Sequence, residues 1–377
     1  MRFPLGLSGA LIYAGIRGLG LAVAAYLLPR GKFDTLHYSL RHLIAAWDSN
    51  RYLSIAVRGY APEPGSLHPA SIFAWFPGYP AAIRAVSWIP GISTTSAALV
   101  VTIAAGLAAA WGLTRLGMLL TGNRRVSLLL AALWAVAPGS IVLAMLYSEA
   151  LFCALAIWTL IALVERHWLT AAGLTLLAGT VRSSALALVA AVTVAALTAL
   201  VRDARARERV AIWWWRPLAA LLVAPLSLLS YWRYSARGLH QPEGWLWLEK
   251  QMGNSFDWGH STLLILKNAI IDGPTAPVAL TLLVMAAAVA LTAWSLTERL
   301  PPALHAYTIV VVVTAVATGP SYLGSKPRFL LLAVLLGLPL ARLLAPARIW
   351  VLVPLIAVLA AASTWFGLYL MTIGWAP

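Results

Sequence analysis

The amino-acid sequence predicts an all-α protein that crosses a membrane many times, and its composition is the first indication. Hydrophobic residues make up 61% of the 377 positions, whereas only 10% are charged. A soluble domain carries about 25% charged residues and about 45–50% apolar ones. Apolar runs of about 20 residues recur along the chain, each long enough to cross a hydrocarbon core of about 30 Å. Because unpaired backbone groups are costly in lipid, each run is expected to be helical.

Eleven apolar segments are predicted to span the membrane and to form a single membrane domain over residues 1–377. The predicted spans are 6–28, 94–120, 126–145, 148–165, 169–182, 184–201, 217–235, 275–296, 304–319, 328–344 and 349–372. The first is too long for the apolar core of a signal peptide, so we interpret it as a span. Two long polar interruptions remain, a first loop over residues 29–93 and a second loop over residues 236–274.

Basic residues predict which side of the membrane each connection occupies. With the N-terminus inside, the cytoplasmic connections hold most arginines of the short loops, whereas the short outer connections hold only Arg182, Lys326 and Arg328. By the positive-inside rule, this asymmetry predicts that both long loops are extracytoplasmic. Most acidic residues fall in or beside these loops, so carboxylates free for chemistry are expected on that face.

The net charge of +15 raises the question of a nucleic-acid partner. The basic residues are spread over loops between apolar segments, and no soluble basic domain carries them. Attraction to anionic membrane lipids explains the charge better, so no nucleic acid is expected. Arginine outnumbers lysine and alanine is abundant, which indicates a bacterial gene of high GC content and predicts a multi-pass protein of the bacterial plasma membrane.

The first loop contains the first long polar interruption of the apolar sequence, from Trp47 to Pro80, which closes in a cluster of aromatic residues and prolines. Residues 36–46 before it have apolar positions at helical spacing, which predicts an amphipathic helix on the membrane surface. A second short interfacial helix is predicted over 51–59, and one interpretation of Asp48 is that it caps this helix. The aromatic cluster at 75–79 is expected to anchor the loop among lipid headgroups.

The second loop begins with a tryptophan-rich amphipathic helix over 245–252, followed by a turn-rich segment over 253–260. Its tryptophans are expected to anchor the loop at the interface, with stacking on a sugar ring as the alternative. The seven histidines form no metal-binding motif, so no cofactor is predicted, and a divalent metal has no motif to support it. His68 is the one histidine within the Trp47–Pro80 stretch and is a candidate substrate contact, or else an ordinary interfacial residue.

Several short motifs occur in the same order as in a known enzyme family. Trp47-Asp48, Tyr52, Ile55-Ala56, Gly59-Tyr60 and Phe76-Pro77-x-Tyr79-Pro80 resemble the PIG-V-type mannosyltransferases, which have actinobacterial relatives. Three further segments resemble motifs of the same family: Tyr147-Ser148-Glu149-Ala150-Leu151-Phe152, Thr180-Val181-Arg182-Ser183 and Pro327-Arg328-Phe329. The departures from the family pattern are Ala150, the inserted Val181, and Gly78, and none of them removes a charged group.

The resemblance implies a GT-C glycosyltransferase architecture with the active site on the extracytoplasmic side. It implies inverting transfer of mannose from a polyprenyl-phosphate-mannose donor, with Asp48 as the general base. The acceptor is expected to be a hydroxyl of a lipid-linked or cell-envelope molecule, such as a glycolipid, a lipoglycan or a protein. Trp47 and Tyr52 belong to the same motif and are candidate substrate-binding residues.

The chemistry of such a transfer agrees with the residues available near the outer boundary. The leaving lipid phosphate gains charge, and Arg182, Lys326 and Arg328 are candidates to bind it, although arginines at span ends also snorkel towards water. One carboxylate suffices to take the acceptor proton. Glu149 is the second candidate after Asp48, with Arg182 as its expected partner, or else it has a structural role at the start of its helix.

Two residues of the second loop, Gln251 and Asp257, are candidate contacts to the acceptor sugar. The alternatives to an enzyme are a lipid or glycolipid transporter that forms no glycosidic bond, and a structural partner in an envelope complex. A transporter is expected to carry polar groups along a path through the membrane, and the sequence contains no clear path of this kind.

Overall fold

The structure is a computed structural model that describes residues 4–28, 40–61, 69–205 and 214–375. Throughout these ranges the secondary structure is helical, and the described backbone forms no strand, only one isolated bridge between Phe256 and Thr318. In chain order the helices are α1 (Leu5–Leu27), α2 (Leu40–Ile44), α3 (Asp48–Arg58), α4 (Gly78–Ser87), α5 (Thr94–Thr121), α6 (Arg124–Ala135), α7 (Glu149–Val164), α8 (Trp168–Val181), α9 (Leu186–Arg205), α10 (Trp215–Val223), α11 (Leu226–Leu239), α12 (Trp245–Gln251), α13 (His260–Ile271), α14 (Ala276–Ser295), α15 (Pro302–Val316), α16 (Lys326–Leu330), α17 (Leu338–Leu344) and α18 (Ile349–Thr372). Short 3-10 turns cover Pro69–Ala74, Ser140–Ala144, Ser183–Ala185 and Pro320–Ser325.

The prediction of an all-α polytopic membrane protein is confirmed. Among the described residues, α1, α5, the segment Ser183–Arg202, α14 and α18 are long and apolar enough to cross a membrane. Four shorter helices, α7, α8, α13 and α15, are also apolar. The number of spans predicted from the sequence is not confirmed, because three of the predicted spans are not continuous helices.

These three interruptions have physical causes. The predicted span 126–145 ends as α6 at Ala135 and resumes as a 3-10 turn after Gly139, which has a φ of 80°. The predicted span 217–235 is divided between α10 and α11 at Pro225, since proline has no N–H to continue the ladder. The predicted span 328–344 consists of α16, irregular turns and α17. Its turns are buried inside the protein, where irregular backbone is tolerated at membrane depth.

Small residues let the central helices approach closely. A Cβ on Gly106 of α5 would clash with the Tyr13 hydroxyl of α1, and one on Gly112 would lie 2.9 Å from Ile157 of α7. This is the packing expected between membrane helices, whose association depends on close van der Waals contact. Helices α1, α5 and α7 therefore form the centre around which the other helices pack.

The two ends of the helix bundle differ in chemistry. At one end, Arg115 bonds to Glu165 at 2.6 Å and Arg342 bonds to Glu298 at 3.1 Å. All of these residues lie in or next to connections predicted to be cytoplasmic. The opposite end brings together the start of α3, the start of α7, the end of α8 and α16. That this second end faces the extracytoplasmic side is a prediction from the sequence.

Candidate active site

Four charged residues from distant parts of the chain meet at one end of the bundle, and we call them the charged cluster. Asp48 is the first residue of α3, and Glu149 is the first residue of α7. Arg182 follows the last residue of α8, and Arg328 lies in α16. Each therefore lies at a helix end or in a short helix, where side chains from several helices can meet inside the protein.

The charged cluster is a chain of alternating charges. Arg328 Nη1 lies 2.9 Å from Asp48 Oδ2, and Arg328 Nε lies 3.8 Å from Glu149 Oε1. Arg182 Nη1 lies 2.8 Å from the same Glu149 oxygen, so the expected partnership of Glu149 with Arg182 is present. The Glu149 side chain is 1% exposed and that of Asp48 is 25% exposed. Glu149 is thus the buried partner of both arginines, while Asp48 is the more accessible carboxylate.

Hydroxyl and aromatic groups fix the orientation of the cluster. Ser148 Oγ accepts a hydrogen bond from Arg182 Nη1 at 2.9 Å and lies 2.8 Å from the Tyr52 hydroxyl. The guanidinium carbon of Arg328 lies 5.3 Å from the ring centre of Tyr147 and 5.2 Å from that of Phe329. These cation–π contacts are strongest where water is excluded, as it is around Arg328.

Two glycines allow the motif segments to pack against each other. A Cβ on Gly78 would clash with Thr180 Oγ1, which lies two residues before Arg182. A Cβ on Gly139 would lie 2.7 Å from the backbone nitrogen of Arg328. The departure from the family pattern at Gly78 therefore has a local reason, which is the close approach of α4 to the end of α8.

The prediction that the aromatic cluster of the first loop lies among lipid headgroups is wrong. Tyr79 is fully buried, with its ring 5.1 Å from that of Tyr52 and its hydroxyl 2.7 Å from Thr102 Oγ1. Phe76 is also buried and packs on Tyr231 with ring centres 4.1 Å apart. The aromatic residues thus support α3 and the site from inside the protein, because they find partners on α5 and α11.

A cavity of about 1050 Å³ opens in front of the charged cluster. Asp48, Tyr52, Arg182 and Arg328 line its polar end. Residues of α9 and α15 form an apolar wall, and α12 with the loop after it forms a second wall. The two walls include Leu186, Ile309, Val313, Trp245, Glu249 and Asn254.

The structure does not bring every predicted site residue to this cavity. Lys326 is buried elsewhere, where its ammonium donates to the carbonyl oxygens of Ala315, Val316 and Thr318 at 3.2, 3.3 and 2.8 Å. It thereby satisfies the free carbonyls at the end of α15 and does not line the cavity. Burial lowers the pKa of Lys326 to about 8, and the charge of Asp257 opposes this shift.

The two candidates in the second loop also lie outside the cavity lining. Asp257 accepts backbone hydrogen bonds from Gly259 and Ser261 at 2.9 Å each, so its carboxylate caps the start of α13. Although desolvation raises the pKa of Asp257, these hydrogen bonds outweigh it and the net shift is downward. Gln251 is exposed at the end of α12. His68 lies outside the described residues.

Trp47 does not line the cavity but has an unusual backbone. Its φ of 55° and ψ of −121° lie in a region that side-chain-bearing residues rarely adopt. Such conformations persist only where surrounding structure imposes them, and they cluster at functional sites. The helix begins one residue later, at Asp48, whose carboxylate bonds to Arg328. The interpretation of Asp48 as the helix cap is therefore wrong.

Glu249 and Asn254 line the cavity and were not among the residues predicted from the sequence. Glu249 Oε2 accepts a hydrogen bond from Asn254 Nδ2 at 2.6 Å. Burial raises the pKa of Glu249 above its ordinary value, while the Asn254 bond and the charge of Arg182 oppose the shift. The only signal in the sequence was a carboxylate beside tryptophans on an amphipathic helix.

Among the described residues, no group of three metal-ligating side chains occurs.

The helical fold and the charged cluster define a multi-pass membrane protein with a deep site at one end of its bundle. The chain belongs to the Mannosyltransferase (PIG-V) family, whose model matches residues 31–273. Asp48, Glu149 and Arg182 lie within the matched range, and Arg328 lies beyond it. Membership of a PIG-V-type family, expected from the motifs, is thus confirmed.

Individual relatives agree with the family match. The chain is 33% identical over 135 residues to the GPI alpha-1,6-mannosyltransferase 2 of Mus musculus. The matched region covers 33% of this chain and 26% of the mouse protein. It is 31% identical over 138 residues to the protein of the same name from Homo sapiens, covering 34% and 27% respectively. The chain thus spans about a quarter of the length of the curated relatives it matches.

Proposed function

We propose that the protein is a GT-C-type glycosyltransferase that transfers mannose from a polyprenyl-phosphate-mannose donor to a hydroxyl of a lipid-linked or envelope acceptor. The family match supports mannose as the sugar. The observation that carries the proposal is the cavity, in which Asp48, Arg182 and Arg328 occupy one end and an apolar wall continues from them. An amphiphilic ligand with a charged head and a hydrocarbon tail matches this distribution.

The arginines supply the proposed phosphate site. Both line the cavity, and guanidinium groups bind phosphate oxygens in bidentate fashion. Their side chains are 14% and 6% exposed, so their charges act in surroundings that contain little water. Positive charge positioned in advance stabilises a leaving group most effectively under these conditions.

The apolar wall supplies the proposed path for the prenyl chain. Leu186, Ile309 and Val313 line the cavity and are 52%, 37% and 46% exposed. Since α9 and α15 are apolar helices, their exposed faces are expected to contact lipid. A tail that lies between these helices would remain in the hydrocarbon while its phosphate reaches the arginines.

In the proposed reaction, an acceptor hydroxyl oxygen attacks C1 of the mannose and forms the new glycosidic bond. The bond from C1 to the phosphate oxygen breaks, and its electrons leave on the lipid phosphate, which becomes a dianion held by Arg182 and Arg328. Asp48 takes the acceptor proton. The attack comes from the side opposite the phosphate, so the configuration at C1 is inverted. The predicted topology assigns this step to the extracytoplasmic face.

Membranes that contain the protein, polyprenyl-phosphate-[³H]mannose and envelope molecules with acceptor hydroxyls test the proposal. We expect the labelled mannose to leave the lipid phosphate and to appear in a new glycoside. If intact donor lipid instead moves between leaflets without forming a glycosidic bond, the protein is a transporter and the proposal fails. The Asp272→Asn variant is the matched control, because it changes an exposed carboxylate of the second loop that lies outside the cavity lining.

A further inference from the structure

One face of α12 presents a carboxylate and an indole to the cavity. Trp245 and Glu249 are four residues apart, so they lie on the same side of the helix, and both line the cavity. Carboxylates accept hydrogen bonds from hydroxyl groups, and aromatic faces cover the apolar faces of rings. Neither residue has a part in the phosphate site or in the proposed proton transfer.

Helix α12 is held firmly in the protein. Leu248 is buried with Ile55 and Phe73 in a small apolar cluster beneath the helix. Ser235 Oγ accepts a hydrogen bond from the backbone N–H of Trp245 at 3.0 Å, which satisfies one free donor at the start of the helix. The face formed by Trp245 and Glu249 is therefore fixed against the rest of the bundle.

The Glu249 side chain is oriented by the loop that follows. Asn254 donates to Glu249 Oε2 at 2.6 Å, and its backbone N–H donates to the Glu249 carbonyl at 2.8 Å. The loop is in turn attached to the end of α15, since Ser255 O accepts from Gly319 N at 2.9 Å. The buried Asn254 Oδ1 has no hydrogen-bond partner among the described residues, and the bond between the Asn254 and Glu249 side chains is made at Glu249 Oε2.

The position of Glu249 relative to the charged cluster limits what it can bind. Arg182, Asp48 and Glu249 all line the same cavity, and the charges of Arg182 and Asp48 both act on Glu249. A second phosphate would be repelled by the Glu249 carboxylate. A sugar bonded to a phosphate at Arg182 would instead bring several hydroxyl donors into the space between them.

We propose that Glu249 binds the hydroxyl groups of the sugar carried by the donor lipid, with Asn254 as the residue that positions it. This inference rests on the proposed function, since it assumes that the donor phosphate occupies the site at Arg182 and Arg328. Oε1 of Glu249 accepts from a sugar hydroxyl, and Trp245 covers one face of the ring. The site then distinguishes a sugar-bearing lipid phosphate from the bare lipid phosphate left after transfer.

Equilibrium binding to the purified protein in lipid nanodiscs tests this inference with two probes, polyprenyl-phosphate-mannose and polyprenyl phosphate. We expect the wild type to bind the mannosylated lipid more tightly. The Glu249→Gln variant should lose about 10-fold in affinity for that lipid, as expected for hydrogen bonds to a charged group, and should retain its affinity for polyprenyl phosphate. Asn254→Ala should show a smaller loss of the same preference, because it leaves the carboxylate in place without its partner.

The outcomes separate this inference from the proposed function. If Glu249→Gln keeps the wild-type preference, or weakens both lipids equally, Glu249 does not bind the sugar, and the inference is overturned while the donor assignment remains. If the wild type binds neither lipid, the donor assignment itself fails, and the sugar site fails with it. Asp272→Asn should behave as the wild type with both probes.

Discussion

Arg328 from the last third of the chain forms an ion pair with Asp48 near its beginning, with Nη1 2.9 Å from Oδ2. The carboxylate proposed as the base therefore shares its arginine with the proposed phosphate site. A lipid phosphate bound by Arg328 would compete for the same guanidinium and release Asp48. Donor binding and the proposed proton transfer would therefore be linked through this one arginine.

Replacement of Asp48 by asparagine should abolish most of the transfer. The amide cannot accept the acceptor proton, and general base catalysis contributes about 10²–10⁴-fold to rates. We expect kcat to fall by about that factor in the labelled-donor assay, while donor binding is retained. Asp272→Asn should leave kcat unchanged. Full activity of both Asp48→Asn and Asp48→Ala would show that Asp48 is not the base.

Glu149 should matter for stability as well as for activity, because it compensates two buried arginines. Removing its charge with Glu149→Gln leaves Arg182 and Arg328 with one fewer partner, and breaking a buried pair costs about 3–5 kcal/mol. Unfolding of the detergent-solubilised protein, followed by circular dichroism, measures the loss.

A double-mutant cycle separates this charge effect from a simple loss of packing. In the Glu149→Gln, Arg182→Gln double variant both members of the 2.8 Å pair are neutral. Its destabilisation should be smaller than the sum of the two single effects by about 0.5–3 kcal/mol. Strict additivity would contradict an energetic coupling between these side chains.

Gly139 offers a test of how the backbone positions Arg328. It has a φ of 80°, and an added Cβ would lie 2.7 Å from the Arg328 nitrogen. Gly122 has a similar φ of 65°, but nothing lies within 4 Å of a Cβ added there. Gly122→Ala should therefore cost only the conformational strain of about 1–2 kcal/mol and leave transfer intact. Gly139→Ala should lose transfer activity as well, as Arg328 is displaced; equal behaviour of the two variants would contradict this.

The sequence was sufficient for the helical class and for the residues that meet in the charged cluster. Hydropathy identified the long spans because lipid imposes helices on apolar runs. Arg182 and Arg328 could be selected because few charges lie at span ends on the predicted outer side, and Asp48 because it belongs to the motif of the first loop that resembles the family. That Arg328 would contact Asp48 could not be predicted, since no local pattern encodes a contact between such distant parts of the chain.

Other features escaped sequence reasoning because hydropathy does not distinguish lipid from protein interior. Residues 331–337 are as apolar as a span, yet they form buried turns. Arg17 lies within the first apolar run, yet it donates to the carbonyls of Ala135 and Ser140, where α6 is interrupted. Glu249 is one acid among several in the second loop, and only the position of α12 brings it to the cavity.

Glu249 should also give the protein a measurable dependence of stability on pH. Burial raises its pKa, and the negative charge of Asp48 adds to the shift, whereas Asn254 and Arg182 oppose it. The folded state therefore retains the Glu249 proton to a higher pH than the unfolded chain does. The stability that this proton contributes is present below the ordinary pKa and is lost as the pH rises through the raised value.

The expected result is a difference between the wild type and Glu249→Gln that changes with pH. The glutamine stays neutral, so the free energy of unfolding of the wild type should fall relative to the variant as the pH rises from about 4 towards 7. Thermal unfolding of both proteins in the same detergent, at half-unit pH steps, measures this difference. A difference that stays constant across the range would mean that the Glu249 carboxylate is as well solvated in the folded cavity as in the unfolded chain.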